Sequence, residues 1–167
     1  HVTSFRPSVI FGPDDNFLNR FARLLKITPL FFPLACPNSR FAPVYVGDVA
    51  CNFINALTDK TTYGKKYDLC GPREYTLKDL IEYTGDLLNI KCRIIGLPNF
   101  ISHLQAAIFE HIPGKPFSID NYNSLKMDST CSASQAQSTA LETIAPSYIG
   151  NKNSKHEIDI LRKHIQN

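Results

Sequence analysis

No glycine-rich phosphate loop occurs in this sequence: its eight glycines, from Gly12 to Gly150, form neither G-x-G-x-x-G nor G-x-x-G-x-x-G. Those glycines let a strand-to-helix turn approach a pyrophosphate, so their absence excludes a self-contained dinucleotide site. An excess of one charge is also missing. The 18 basic and 15 acidic residues are scattered and leave a formal net charge of +3, too weak and mixed to argue for nucleic acid. No apolar run approaches the ~20 residues of a membrane span, and the run that starts at Leu30 is broken by Pro33, so membrane contact is at most peripheral. The five cysteines, Cys36, Cys51, Cys70, Cys92 and Cys131, are odd in number and contain no C-x-x-C pair for zinc or redox work. They are expected to be buried, reduced thiols of an intracellular protein. The first residues, His1-Val2-Thr3-Ser4-Phe5, include neither an initiator methionine nor a signal-peptide pattern. They read as a strand that needs neighbours, which makes a partial chain the expectation.

What is present is an ordinary globular balance, 43% hydrophobic and 20% charged, which predicts a real core. Val9-Ile10-Phe11 reads as the end of a buried strand stopped by Gly12-Pro13. Asp14, Asp15 or Asn16 then caps a helix with Phe17, Phe21, Leu24 and Leu25 on one face. Two proline-bounded segments follow, 30–34 and 41–46. Asp48 is expected to cap a helix over 49–57 striped by Val49, Phe53, Ile54 and Leu57, a role that explains it better than catalysis does. Tyr67-Asp68-Leu69 is a short strand, and Thr76-x-x-Asp79 has the form of a capping box opening a helix over 77–88. Arg93-Ile94-Ile95 is a further strand. Pro98 suits the first position of a long apolar helix to residue 112. A helix over 119–126, a Ser/Thr/Ala/Gln connector over 128–139 and a short amphipathic piece over 141–149 complete the part with structural signals. The organisation expected is a unit over 1–150 followed by a polar tail over 151–167.

Three blocks then carry a resemblance. Arg6-Pro7-Ser8-Val9-Ile10-Phe11-Gly12-Pro13 resembles the R-P-x-x-V-Y-G-P stretch of extended short-chain dehydrogenases, with Phe11 in place of the usual tyrosine. Arg40-Phe41-Ala42-Pro43-Val44-Tyr45-Val46-Gly47-Asp48-Val49-Ala50 looks like R-x-x-x-V-x-V-x-D-V-A, and Tyr67-Asp68-Leu69-Cys70-Gly71-Pro72 with Tyr75-Thr76 looks like Y-x-L-x-G-P-x-x-Y-T. The wording of Phe17-Leu18-Asn19-Arg20-Phe21 and of Pro43-Val44-Tyr45-Val46-Gly47-Asp48 is most similar to one atypical branch. That branch is the dehydrogenase-like accessory subunit of respiratory complex I, with bacterial relatives named NAD-dependent epimerase/dehydratase proteins. Leu141, Glu142, Ile144, Pro146 and Tyr148 fit it too; after Asn151 the resemblance fades.

The resemblance implies an α/β fold: the carboxyl-terminal portion of an extended Rossmann-type dehydrogenase with its mainly helical substrate lobe, the sheet incomplete within this chain. It implies that Pro7, Ser8 and Val9 face the nicotinamide end of NADP or NAD in the intact protein, with no cofactor expected for this chain alone. Arg40 matches an arginine that pairs with substrate phosphates in sugar-nucleotide members, a task its planar fork of donors suits; a surface or interdomain ion pair is the plainer reading. The implied partners are an upstream Rossmann half and respiratory-chain or quinone-pathway proteins, and the implied place is the bacterial cytoplasm or the matrix side of mitochondria. An ordinary sugar-nucleotide epimerase or reductase lobe is the alternative. Tyr122 and Lys126 spell the family's Y-x-x-x-K, but after the substrate-lobe blocks, where the family's order makes it a chance match. His103 and His111 share one predicted helix with only Glu110 near metal spacing, so packing or exposure is expected of them. Phe100, Ile101, Leu104, Ala107, Ile108 and Ile112 give that helix a wide apolar face, for the core in preference to a membrane or a partner helix.

Overall fold

The computed structural model describes residues 2–98, 123–131 and 136–149. Strands and helices alternate: β1 (Ser4–Pro7), β2 (Ile10–Phe11), α1 (Leu18–Ile27), β3 (Phe31–Leu34), β4 (Arg40–Phe41), β5 (Val44–Tyr45), α2 (Val46–Thr58), β6 (Lys66–Leu69), β7 (Tyr75–Thr76), α3 (Leu77–Leu87), β8 (Arg93–Gly96) and α4 (Leu141–Tyr148). Among the described residues the strands form only two-stranded ladders. β1 with β6, β2 with β5 and β3 with β8 are parallel; β4 with β7 is antiparallel. The expected incomplete sheet is borne out. The strand end read at Val9-Ile10-Phe11 is a separate short strand, β2, set off from β1 at Ser8-Val9, and the two join different partners.

Local chemistry accounts for the helix starts. Thr76 and Asp79 make a complete capping box: the Thr76 hydroxyl accepts from the Asp79 amide at 3.1 Å, and the Asp79 carboxylate accepts from the Thr76 amide at 3.0 Å. Both bonds favour ionised Asp79, and they hold its carboxyl below the ordinary range. Asp15 serves α1 from outside the helix, accepting at Oδ1 from the amides of Phe17 and Asn19 at 2.9 and 3.1 Å. Its other oxygen receives the Tyr148 hydroxyl at 2.9 Å, so one carboxylate ties α1 to α4.

The core lies between α1 and α3, and α4 contributes Leu141, Ala145 and Tyr148 to it. Phe11, Leu18, Leu25, Leu77, Leu80, Ile81 and Leu141 are buried there, and Phe17, Phe21 and Leu24 flank them half-buried. Leu18, Ala22 and Leu25, at i, i+4 and i+7, form the most buried line of α1. A smaller cluster of Val44, Val49 and Leu69, with Phe5 against it, fastens α2 to the β1–β6 pair.

Two expectations for α2 are corrected. The helix begins at Val46, so Asp48 sits inside its first turn and makes no side-chain cap. Only Val49 of the predicted stripe is buried, while Phe53, Ile54 and Leu57 are 49%, 63% and 82% exposed. The helical periodicity holds there, but of this face only Val49 is buried and Phe53 meets the Phe5 ring, their centroids 4.6 Å apart; Ile54 and Leu57 have no covering layer among the described residues. Residues 99–112 of the predicted apolar helix, with His103 and His111, lie outside the described residues, as do Tyr122, the 151–167 tail and most of the 119–126 helix, of which 123–125 are helical.

Candidate functional site at the strand ends

β1 and β6 run parallel and finish side by side, at Pro7 and Leu69. Open α/β sheets place their ligands at such carboxyl ends. The Ser8 amide continues the ladder, donating to the Leu69 carbonyl at 2.8 Å. Ser8 is buried, and its hydroxyl donates to the Ser129 carbonyl at 2.6 Å. Pro7 is exposed at the strand end, whereas the Val9 carbonyl accepts from the Val44 amide at 2.9 Å while its side chain packs on the core. The three residues expected at a nicotinamide therefore occupy three settings: Pro7 is open, Ser8 is occupied and Val9 is structural.

Arg40 extends from β4 with its side chain 63% exposed, 3.7 Å from the Glu74 carboxylate. Its backbone is more firmly engaged: the amide donates to Asp128 Oδ1 at 2.8 Å and the carbonyl accepts from the Ser129 amide at 2.8 Å. The Ser129 carbonyl also accepts from the Ala42 amide at 3.0 Å. Ser129 thus joins the two positions, Ser8 and Arg40, that the sequence pointed to separately. No sequence signal marks it, since one serine in a Ser/Thr/Ala/Gln tract looks like any other.

The tract itself departs from the loose connector expected of its composition. Residues 128–131 and 136–139 are held against the strand ends by named bonds. The Gln137 amide donates to the Cys70 carbonyl at 2.7 Å, and Asn52 Nδ2 donates to Gln137 Oε1 at 3.0 Å. The Asp48 carboxylate accepts from the Thr139 hydroxyl at 2.9 Å and from the Thr139 amide at 3.3 Å. Asp48 is an anchor for the tract. Gly71 completes the ledge: its amide donates to the Ala42 carbonyl at 3.0 Å, and a side chain there would collide with the Pro43 carbonyl oxygen.

Cys70, which follows β6, is joined by a disulfide to Cys131. This corrects the expectation of five buried, reduced thiols; of the rest, Cys51 is exposed and Cys36 and Cys92 are half-buried. Burial pushes the Cys36 and Cys92 thiols up, the reverse of what an activated nucleophile requires. Other perturbed groups serve packing. Burial, and then the hydrogen bond to Glu142 at 2.7 Å, raises the Tyr75 hydroxyl. Burial and the Asp15 charge do the same to Tyr148. Among the described residues no group of three or more metal-ligating side chains occurs, and no helix is long and apolar enough to cross a membrane. A cavity of about 270 Å3 between α1, α3 and β8, lined by Leu25, Ile81, Gly85, Ile90, Cys92 and Ile94, touches none of the strand-end residues.

No family model matches the chain. Among curated proteins it is similar to NADH dehydrogenase [ubiquinone] 1 alpha subcomplex subunit 9, mitochondrial. The Arabidopsis thaliana protein is 30% identical over 141 residues, covering 78% of this chain and 35% of that protein. The Mus musculus protein is 33% identical over 114 residues, covering 67% and 30%. The chain thus spans about a third of the length of these relatives. In fold it resembles an epimerase from Methanothermobacter thermautotrophicus, with a TM-score of 0.54 and 13% identity over 96% of this chain and 45% of that one. A dTDP-glucose 4,6-dehydratase from Streptomyces venezuelae, solved with NAD and TYD bound, also matches at 0.54 and 13% identity, over 87% and 41%. Parallel strand ends, the three sequence blocks that build them and these relatives agree: the chain belongs to the extended short-chain dehydrogenase/reductase-like family.

Proposed function

We propose that this chain is the distal, substrate- and partner-binding lobe of an NAD(P)-binding dehydrogenase-like protein related to the complex I accessory subunit, and that it is noncatalytic alone. The observation that carries this reading is a parallel pair, β1–β6, whose packed helix α2 sets Phe53 against Phe5 and leaves Ile54 and Leu57 without cover among the described residues. Parallel sheets are stable when buried on both faces and flanked by further strands, and an isolated two-stranded pair is marginal in water. An upstream Rossmann half supplies both missing elements: strands beyond β1 and a layer over α2. In that assembly Pro7 and Ser8 border the nicotinamide end of the dinucleotide, Val9 holds the ledge in place, and Arg40 is available to an anionic substrate group or a partner carboxylate. The glycine-rich phosphate loop comes from the other half, because the glycines here do not form one. NADP or NAD would supply hydride chemistry when bound; this chain's part is to close the cleft wall. Respiratory-chain or quinone-pathway proteins are the partners this reading implies, in keeping with the names of the sequence relatives.

Titration of NADPH and NADH followed by cofactor fluorescence tests the proposal, using this chain and a longer protein that carries the upstream half. Saturable binding by the longer protein alone is the expected result. Binding by this chain at comparable affinity refutes it.

A further inference from the structure

The tract that bridges Ser8 and Arg40 is fastened at its end by the one covalent bond described between distant parts of the chain. Cys70 and Cys131 are 61 residues apart in sequence, with Cα atoms 6.1 Å apart, a separation suited to a disulfide. Cys70 is buried beneath the ledge at 3% exposure, whereas Cys131 is half-exposed next to exposed Thr130. An incoming thiolate therefore meets the Cys131 sulfur first. Apart from this bond, residues 128–131 are held by hydrogen bonds to Ser8, Arg40 and Ala42, close to solvent. Such bonds are individually weak against exchange with water. The covalent link keeps their partners at high local concentration, and without it the strap is held near the ledge only by its own hydrogen bonds and by those of neighbouring residues, Ser39 to Leu125 before it and Gln137 and Thr139 after it.

We propose that Cys70 and Cys131 form a thiol–disulfide switch that fastens the 128–131 strap over Ser8 when oxidised and releases it when reduced. Disulfides are uncommon where thiols are kept reduced, and those found there are mostly transient or redox-sensing, which suits a bond with one partly exposed cysteine seated on a candidate site. A small or protein dithiol is the co-reactant. Its first thiolate attacks the Cys131 sulfur, the Cys70–Cys131 bond breaks, and Cys70 leaves as a thiolate that takes up a proton. The second thiolate then attacks the reductant's own sulfur in the mixed disulfide and expels Cys131, which is protonated in turn. Two electrons pass to the protein, and the reductant leaves as a disulfide. Release uncovers the Ser8 hydroxyl. That this hydroxyl then meets a dinucleotide rests on the function proposed above; the fastening itself does not.

Amide hydrogen exchange by NMR on the full-length protein, oxidised and after dithiothreitol, tests the switch. Peptide mapping after alkylation is expected to find Cys70 linked to Cys131 in the oxidised form, with Cys51 alkylated in both. The Ser129, Ala42 and Gln137 amides are expected to exchange at least tenfold faster on reduction while the Leu88 amide, which caps the carboxyl end of α3, is unchanged. Cys70→Ser with Cys131→Ser is expected to reproduce the fast exchange without reductant. Absence of the linkage overturns the proposal, as does a linkage whose reduction leaves those amides unchanged. Equal acceleration of Leu88 also overturns it, because the bond would then be a global staple. A cofactor titration that fails while the exchange result holds would count against the dinucleotide reading alone.

Discussion

Replacing Asp48 by alanine and Thr139 by valine, singly and together, separates two roles for Asp48 that a single mutant confounds. Asp48 stands in the first turn of α2, where a carboxylate is favoured by the helix dipole by roughly 0.3–1 kcal/mol. That contribution disappears in Asp48→Ala whether or not Thr139 has its hydroxyl, so it cancels from the interaction term of a double-mutant cycle. What does not cancel is the bond from Thr139 Oγ1 to Asp48 Oδ1 at 2.9 Å. Hydrogen bonds to charged groups contribute about 1.5–3 kcal/mol. Half-exposure of Asp48 and Thr139 lowers this, so a coupling of about 1 kcal/mol is expected, roughly a fivefold change in the folding constant. The 3.3 Å bond from the Thr139 amide survives in Thr139→Val and adds to the cost of Asp48→Ala alone. Urea denaturation of the four proteins at one pH and temperature gives the cycle directly. A coupling within about 0.3 kcal/mol of zero, the scatter expected of independent sites, would refute the anchor role and return Asp48 to a purely local task.

Thr76→Ala, which removes one half of the α3 capping box, is expected to cost about 1 kcal/mol in the same assay. Because the box depresses Asp79, the contribution of that carboxylate is present at neutral pH, above its unfolded value, and is lost as pH falls through the lower folded value. Asp79→Asn should therefore lower stability at neutral pH and flatten its decline in acid. Among the tyrosines, Tyr75 should ionise late in an alkaline ultraviolet titration, and Glu142→Gln should bring it part of the way down, since burial is the larger cause.

The parts of the fold that were legible in the sequence are those whose causes are local. Thr76 and Asp79 are three residues apart and satisfy each other, so their pattern alone located the start of α3. The strand end at Leu69 was legible as a short strand stopped by Gly71-Pro72, whereas the break after Pro7 was not, because the sequence places the strand end at Phe11 before Gly12-Pro13. Asp48 was misread because its partner, Thr139, lies 91 residues away and a carboxylate before an apolar stripe looks like a cap. The same distance effect hid the disulfide and left Ser129 unmarked. Phe53, Ile54 and Leu57 were read as core on correct periodicity, but periodicity states which face is apolar and not what covers it.

That uncovered face and the β1 edge beside it are the central claim, and the Phe5 amide reports on the edge. Along a strand successive amides point to opposite neighbours. The Ser4 and Ser8 amides bond to the β6 side, at the Lys65 and Leu69 carbonyls, so the Phe5 amide points to the edge that no described strand pairs with. Pro7, the other edge-facing position of β1, has no amide hydrogen. Hydrogen exchange at Phe5, measured in this chain and in a longer protein carrying the upstream Rossmann half, is the most direct measurement. Rapid exchange in the chain and strong protection in the longer protein is the predicted result. Equal exchange in both would mean that no strand pairs with β1, and the lobe would not be the completing half of a Rossmann sheet.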